Sequence, residues 1–255
     1  MESETTVLLE KFHCVKRKLD LSNKDIKGVL DLEKFTKLKV LKCSNNEITE
    51  LKNISKLTNL DCSNNKISKL VEIPNNLEQL DYQENDITHL FHSSNDIPIK
   101  FPENLTHLTF GYYFNQPIGF LPNSITNLTF GERFNQPVNN LPNSITNLTF
   151  GCYFNHPLTN FPNSITNLTF GCCFNHPLTN LPNSITNLTF YRFGSFKQSI
   201  DNLPDSITNL TLPIWYKMTI NKLPDNIKEI KNTSKIPNLE ELKQKYPHVT
   251  FIYKN

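Results

Sequence analysis

The sequence contains no alanine, and it has only seven glycines and one tryptophan among its 255 residues. It has no run of 18 or more apolar residues, so we predict no transmembrane helix. The first residues lack the basic stretch and apolar run of a secretory signal, and we expect a cytoplasmic location. No glycine-rich phosphate loop, HExxH or GxSxG motif occurs, so we predict no enzymatic activity, no cofactor and no small-molecule substrate.

Charge is sparse as well. The formal net charge is +2, and residues 105–190 carry only two charged side chains, Glu132 and Arg133. Nucleic acids and anionic membranes are usually bound through clustered lysine and arginine. We therefore predict that neither is a partner of this protein.

The six cysteines form no CxxC motif. Together with the missing secretory signal, this indicates reduced thiols in a reducing compartment rather than a disulfide framework. Cys43 and Cys62 occupy inward strand positions in the repeats described below, so we expect them in the core.

What the sequence has in abundance is one decapeptide. LPNSITNLTF occurs at residues 121–130, 141–150 and 181–190, and FPNSITNLTF occurs at 161–170. A catalytic site is assembled once, whereas a motif copied every 20 residues is typical of a structural repeat. The copies therefore indicate architecture before they indicate chemistry.

The apolar positions of the unit at 121–140 sustain neither a helical nor a strand period. The spacing of Leu128 and Phe130 predicts a short strand, with Asn127 and Thr129 on its other face. Two prolines per unit rule out a long helix. The positions predicted to face inward are Leu121, Ile125, Leu128, Phe130, Phe134 and Val138.

Each unit is then one coil that buries its apolar edge only by stacking on its neighbours. We predict a β-rich repeat solenoid with a parallel sheet along one face, few or short helices, and coils about 4.8 Å apart.

The segments LKVLKCSNNEITEL (38–51), LTNLDCSNNKISKL (57–70) and LEQLDYQENDITHL (77–90) follow one pattern of leucines and asparagines. This pattern resembles the leucine-rich repeat, in which a strand is followed by an asparagine bend. The later units keep the same phase but slip by one residue after the strand. Asn135 is therefore a candidate equivalent of the ladder asparagine Asn46.

The later units resemble FNIP repeats, which are named for a Phe-Asn-Ile-Pro core. Here the core reads Phe-Asn-Gln-Pro or Phe-Asn-His-Pro at 114–117, 134–137, 154–157 and 174–177. The resemblance implies a protein of the kind known from social amoebae and from large DNA viruses that infect amoebae. It also implies a role in host cytoplasm if the source is viral.

We predict one solenoid domain over 1–255. It comprises an N-terminal cap (1–18), leucine-rich repeats (19–90), an insertion loop (91–100), FNIP repeats (101–222), and a last coil with a C-terminal cap (223–255). The pattern predicts an amphipathic helix over 6–19 with Val7, Leu8, Phe12 and Val15 inward. A second helix is predicted over 237–246 with Asn238 as its N-cap, followed by a strand over 248–253.

Two Cys-x3-His pairs, Cys152/His156 and Cys172/His176, lie one coil apart, and four such ligands could close a zinc site. Recent duplication explains the same register without a metal, because units 141–160 and 161–180 differ at only two positions. We predict no metal.

Solenoids offer extended surfaces and mostly bind macromolecules. The first hypothesis is a non-catalytic protein-interaction module, and the alternative is a binder of a repetitive ligand, glycan or ice, through the Asn/Thr ladder. Among the repeat copies, the residues after each strand differ most. Trp215 and Tyr216 are predicted to pack against the C-terminal cap. The predicted protein-binding residues are Tyr112, Tyr113, Glu132, Arg133, Tyr153, Tyr191 and Arg192.

Overall fold

A computed structural model describes residues 9, 12–68, 73–85, 101–119 and 121–253. They group into two compact units, one of residues 1–116 and 120–125, the other of residues 117–119 and 126–255. Both units consist of short parallel strands joined by irregular coils, so the predicted parallel β-solenoid is confirmed. The single-domain organisation stays a prediction, and its insertion loop at 91–100 lies outside the described residues.

In the first unit, one parallel sheet has the strand order β1-β3-β5-β6-β7. A separate two-stranded parallel sheet, β2 with β4, lies on the return path of the coils. Each strand is short because its coil must turn within about 20 residues. The strands are β1 (Lys18–Asp20), β2 (Lys27–Asp31), β3 (Val40–Lys42), β4 (Glu47–Lys52), β5 (Asn59–Asp61), β6 (Gln79–Asp81) and β7 (His107–Thr109).

In the second unit each strand pairs with the next one along the chain, in parallel and without a shift of register. Identical residues therefore lie side by side, for example Asn147 beside Asn167. The elements are β8 (Asn127–Thr129), β9 (Asn147–Thr149), β10 (Asn167–Phe170), β11 (Asn187–Phe190), β12 (Asn209–Thr211), β13 (Glu229–Lys231), helix α1 (Leu239–Lys245) and β14 (Thr250–Ile252). No helix within the described ranges is long and apolar enough to span a membrane.

The core of the second unit contains two rows of stacked phenylalanine rings. Within a coil, the Phe150 and Phe154 ring centroids lie 3.8 Å apart, and Phe150 lies 5.4 Å from Phe130 and 5.7 Å from Phe170. Five of the six positions predicted to face inward are buried, and only Leu121 is partly exposed. Offset aromatic stacking adds to the apolar area that these rings remove from water.

In the first unit two buried asparagines, Asn65 after β5 and Asn85 after β6, bind the turning backbone. The Asn65 side chain donates to the Cys43 and Cys62 carbonyls at 2.9 and 3.1 Å and accepts the Ile48 amide at 2.9 Å. Asn85 repeats this arrangement one coil later with the Ile67 amide. These side chains satisfy backbone groups that the turning chain leaves without a strand partner.

Asn135 is not an equivalent of these buried asparagines. It is exposed, and its Oδ1 accepts the backbone N–H of Asn155 at 3.0 Å. Asn155 and Asn175 repeat the bond to the following coil, at 3.0 and 2.9 Å. The slip of one residue after the strand moves this asparagine to the surface, so it ties coils together there instead of inside the core.

Glycine is required after β9 and β10, at Gly151 and Gly171, because adjacent coils approach closely there. A Cβ on Gly171 would overlap the Gly151 carbonyl and lie 2.7 Å from the Cys152 Cα. Gly151 meets the backbone of Gly131 and Glu132 in the same way. Backbone atoms cannot rotate away from such contacts as the end of a side chain can.

We expect Gly171→Ala to destabilise the protein by about 1–3 kcal/mol, the usual cost of overpacking. Gly119→Ala is the matched control, because a Cβ on Gly119 meets nothing within 4 Å. Denaturant unfolding of the two variants measures the difference. Equal denaturant midpoints for the two variants would show that the coils can move apart at Gly171 without loss of stability.

The caps depart from the sequence prediction. Cys14 and Val15 lie in a turn, β1 begins at Lys18, and Val15 is 62% exposed, so a helix through residue 19 with Val15 inward is wrong. Val7 and Leu8 lie outside the described residues. Asn238 precedes α1 but makes no capping bond, because its side chain pairs with the amide and carbonyl of Ile220 in the preceding coil.

Candidate functional site

The open face of the second-unit sheet carries a ladder of asparagines. The side-chain amide of Asn167 donates to Asn147 Oδ1 at 2.7 Å and to the Thr166 hydroxyl at 3.0 Å. The same two bonds recur at Asn147, Asn187 and Asn209. Both N–H groups of each side-chain amide therefore donate to acceptors within the protein, and these hydrogen bonds stabilise the stack along its length.

A second row, exposed except for the half-buried Cys173, lies at the edge of the sheet, just after the strands. Each residue of this row precedes a buried member of the second ring row: Phe134, Phe154, Phe174, Phe196 and Tyr216, with Ile236 in the next coil. We call this row the rim column: Arg133, Tyr153, Cys173, Ser195, Trp215 and Lys235.

Backbone hydrogen bonds fix the spacing of the rim column. The Tyr153 amide donates to the Glu132 carbonyl at 2.9 Å, and the Cys173 amide donates to the Cys152 carbonyl at 2.8 Å. The Ser195 amide donates to Cys172 at 2.7 Å. The rim column is thus held by the same coil-to-coil register as the strands, which makes it a preorganised surface.

One coil carries a two-residue insertion at this edge. Phe190 and Phe196 stack at 4.1 Å as the shorter coils do, so the extra residues are pushed outward as an exposed segment, Tyr191–Phe193. The Tyr191 and Phe193 rings lie 6.1 Å apart, and the Arg192 guanidinium carbon is 5.4 Å from the Phe193 ring centroid. We call this segment the rim loop.

The comparisons with known proteins identify the repeats. The FNIP Repeat model matches residues 95–133, 117–140, 134–173 and 174–213. These are FNIP repeats. No curated protein sequence matches the chain.

Solved structures resemble the whole chain. One, described as the crystal structure of CroV588, a novel circular LRR protein, has a TM-score of 0.50 and 28% identity, and covers 94% of this chain. The functional domain of InlJ from Listeria monocytogenes, described as including a cysteine ladder, has a TM-score of 0.49, 18% identity and the same coverage. The match spans 46% and 53% of those two chains. The protein is therefore a repeat solenoid similar to the leucine-rich-repeat protein CroV588, and the match spans 46% of that chain.

The FNIP repeats place most predicted binding residues on the edge of the sheet. Tyr153 is 51% exposed, and the Arg133 guanidinium carbon lies 6.0 Å from its ring centroid. Tyr191 and Arg192 lie in the rim loop. In the first unit, Tyr112 and Tyr113 form an edge-on pair at 4.8 Å. Their role in binding stays a prediction.

Glu132 plays a more structural part than the sequence suggested. It is half-buried, and its Oε2 accepts the backbone N–H of Cys152 at 2.8 Å. The carboxylate therefore holds the next coil in place, and substituting it would disturb the surface whose binding is to be measured.

Two exposed aromatic residues were missed as site residues. Trp215 is 56% exposed, so its predicted packing against the C-terminal cap is wrong. Its neighbour Tyr216 is buried instead and donates its hydroxyl proton to the Gln198 carbonyl at 3.0 Å. Phe193 is 57% exposed. Aligning the coils by their buried rings would have shown both residues pointing outward.

The cysteines correct the prediction of six reduced thiols. Cys152 and Cys172 form a disulfide between adjacent FNIP repeats, with their Cα atoms 4.4 Å apart. Stacking in register brings equivalent residues of adjacent coils close enough for a disulfide. When a coil that contains a cysteine is duplicated, the two copies of that cysteine therefore lie side by side. Cys43 and Cys62 are thiols in the core as predicted, and burial raises the pKa of both.

The histidines of the two Cys-x3-His pairs bond elsewhere. The His156 Nε2 lies 3.1 Å from the Asn135 carbonyl, and His176 lies 3.0 Å from that of Asn155. Among the described residues, no three potential ligands gather in a geometry that could hold a metal ion. The register that brings the cysteines together thus does not assemble the four-ligand set considered for zinc.

Proposed function

We propose that the protein is a non-catalytic protein-interaction module that binds its partner through the rim column and rim loop. The observation that carries the proposal is where large apolar side chains are exposed in the second unit. Six large apolar side chains are exposed among the described residues of this unit, and four of them, Tyr153, Tyr191, Phe193 and Trp215, lie on this edge at 48 to 57% exposure. The other two are Met218 and Tyr253. Aromatic residues are enriched among the anchors of protein interfaces.

The surroundings of these side chains support the same function. The backbone N–H groups of Tyr153 and Tyr191 donate to the preceding coil, and that of Ile214, next to Trp215, donates to the Arg192 carbonyl. The buried ring rows lie behind these turns. A rigid surface loses less conformational entropy on binding than a mobile one. Its relation to leucine-rich-repeat proteins also favours binding over catalysis, and a cytoplasmic location stays part of the proposal.

The Asn/Thr ladder is less suited to a repetitive ligand such as glycan or ice. Asn147, Asn167 and Asn187 each give both amide protons to neighbours in the protein. A ligand that competed for those protons would break bonds along the stack. We therefore place recognition at the edge of the sheet and stability on its open face.

Photo-crosslinking tests the position of the interface. p-Benzoylphenylalanine placed at Tyr153 or Trp215 is expected to yield covalent protein adducts in an extract of the cells in which the protein is naturally produced. The matched position is Thr179, which is also exposed but lies on the return path of its coil. We expect adducts from the two edge positions in several-fold excess over Thr179, measured by mass spectrometry.

Adducts of the same proteins in equal yield from all three positions would contradict an edge interface. Adducts from Thr179 alone would move the interface to the return segments.

A further inference from the structure

The edge that carries the exposed aromatic residues is more basic than the rest of the protein. Between the end of each second-unit strand and the residue that follows the second ring row, the coils contain Arg133, Arg192, Lys197, Lys217 and Lys235 against one acid, Glu132. Asp201, Asp205 and Asp225 lie later in their coils, away from this stretch of the sequence. The Glu132 carboxylate already accepts the Cys152 amide. The whole chain has a formal net charge of only +2. A basic excess at a binding edge favours partners of opposite charge.

Basic and aromatic side chains lie next to one another along this edge. Arg133 begins the rim column and Lys235 ends it, and Tyr153 and Trp215 lie between them. Arg192 and Lys217 are exposed beside Phe193 and Trp215. Two arginines lie near exposed rings, Arg133 near Tyr153 and Arg192 near Phe193. Guanidinium groups bind carboxylates with two parallel hydrogen bonds, and rings bury apolar side chains.

The length of the rim column sets the size of its partner segment. Its six residues occupy successive coils, which places the ends about 24 Å apart at the usual strand spacing. A fully extended chain covers about 3.3 Å per residue, so about seven residues span the column. A helix advances only about 1.5 Å per residue and would need about 16 residues for the same distance, so an extended chain is the shortest segment that reaches both ends.

We infer that the rim column and rim loop bind an extended acidic segment of a partner protein, with carboxylates at the arginines and lysines and apolar side chains on Tyr153, Phe193 and Trp215. This inference rests on the proposed function, and it adds the chemical class of the partner. Single-stranded nucleic acid also combines stacking with negative charge. It carries a phosphate at every nucleotide, however, whereas Cys173 and Ser195 place neutral side chains in the middle of the column.

The test uses the full-length protein and a phage-displayed library of random 12-residue peptides as the probe. We expect the selected peptides to gain about two aspartates or glutamates over the unselected library, and to bind about tenfold more weakly when NaCl rises from 50 to 300 mM. A charge-reversed variant, Arg192→Glu with Lys217→Glu, is expected to lose these peptides at least tenfold and to select basic ones. The matched control is Lys34→Glu with Lys37→Glu, which changes the net charge equally at exposed positions of the first unit.

Selection of neutral or basic peptides by the unmodified protein would overturn the inference, as would acidic peptides that the charge-reversed variant still binds. No enrichment at all would also overturn it. Tighter binding of a fluorescent twelve-nucleotide oligo(dT) than of the best peptide would assign the edge to nucleic acid instead. In each of the three peptide outcomes that overturn the inference, protein adducts from Tyr153 in the photo-crosslinking experiment would still support the proposed function. Failure of the inference is therefore distinguishable from failure of the proposed function.

Discussion

Replacing Phe150 with alanine is expected to destabilise the protein by about 3–5 kcal/mol, the usual cost of emptying a large buried aromatic site. Phe150 is 2% exposed, and its ring stacks on Phe154 in its own coil and on Phe130 and Phe170 in the adjacent coils. The cavity cannot collapse easily, because the strands on both sides are held in register. Guanidinium chloride unfolding followed by circular dichroism measures the loss.

Phe193→Ala is the matched control, since it removes the same side chain from the exposed rim loop. We expect a change within about 0.5 kcal/mol, as is usual for surface substitutions. If the two variants unfolded at the same denaturant concentration, the ring rows would not be the core of the second unit.

The second large effect is expected at Asn65. Asn65→Ala would leave the Ile48 amide and the Cys43 and Cys62 carbonyls without their side-chain partner. Each buried polar group left unsatisfied costs about 1–3 kcal/mol, and partial relaxation should hold the total near 3 kcal/mol. The same denaturant measurement applies, with hydrogen exchange at Ile48 as a local readout.

Asn76→Ala is the corresponding control, because Asn76 is an exposed turn residue of the same unit. It should unfold within about 0.5 kcal/mol of the unsubstituted protein. A comparable loss at both positions would mean that lost turn propensity, rather than the buried hydrogen bonds, explains the effect of Asn65→Ala.

The interior of the repeats could be predicted from the sequence because each coil repeats one pattern. Ile125, Leu128 and Phe130 recur at the same spacing, and a position that is apolar in every copy has to face the shared core. The strand positions followed from the same spacing. Periodicity therefore determined the regular part of the fold.

The departures occur where the pattern is broken or where two coils meet. Val15 and Trp215 lie outside the regular copies. A helical period placed Val15 inward, but the chain forms a turn there, and Trp215 has no counterpart in the regular copies from which its face could be assigned. Asn135 follows the one-residue slip, which moved it to the surface. The Cys152–Cys172 disulfide depends on the distance between neighbouring coils. The repeat predicted that spacing, but it did not predict the oxidation state of the two sulfurs.

The binding edge could be predicted only in part. Tyr153 was found because the residues after each glycine vary between copies that are otherwise nearly identical, and Tyr191 and Arg192 were found in the coil that departs from the pattern. Phe193 was missed because the insertion in its coil shifts the alignment by two residues. The support that Glu132 gives to Cys152 was invisible, since a hydrogen bond to a backbone amide leaves no trace in side-chain patterns.

The in-register asparagine ladder makes residues 127–190 resemble a crystal in one dimension, with a translation of 20 residues. Asn147 donates to Asn127 and accepts from Asn167, so each coil meets the next through the same surface. Adding or removing one whole translation leaves every interface chemically complete. Removing one residue acts as a dislocation, because it turns the inward face of a strand outward. Chain length in this region can therefore change freely only in steps of one lattice period.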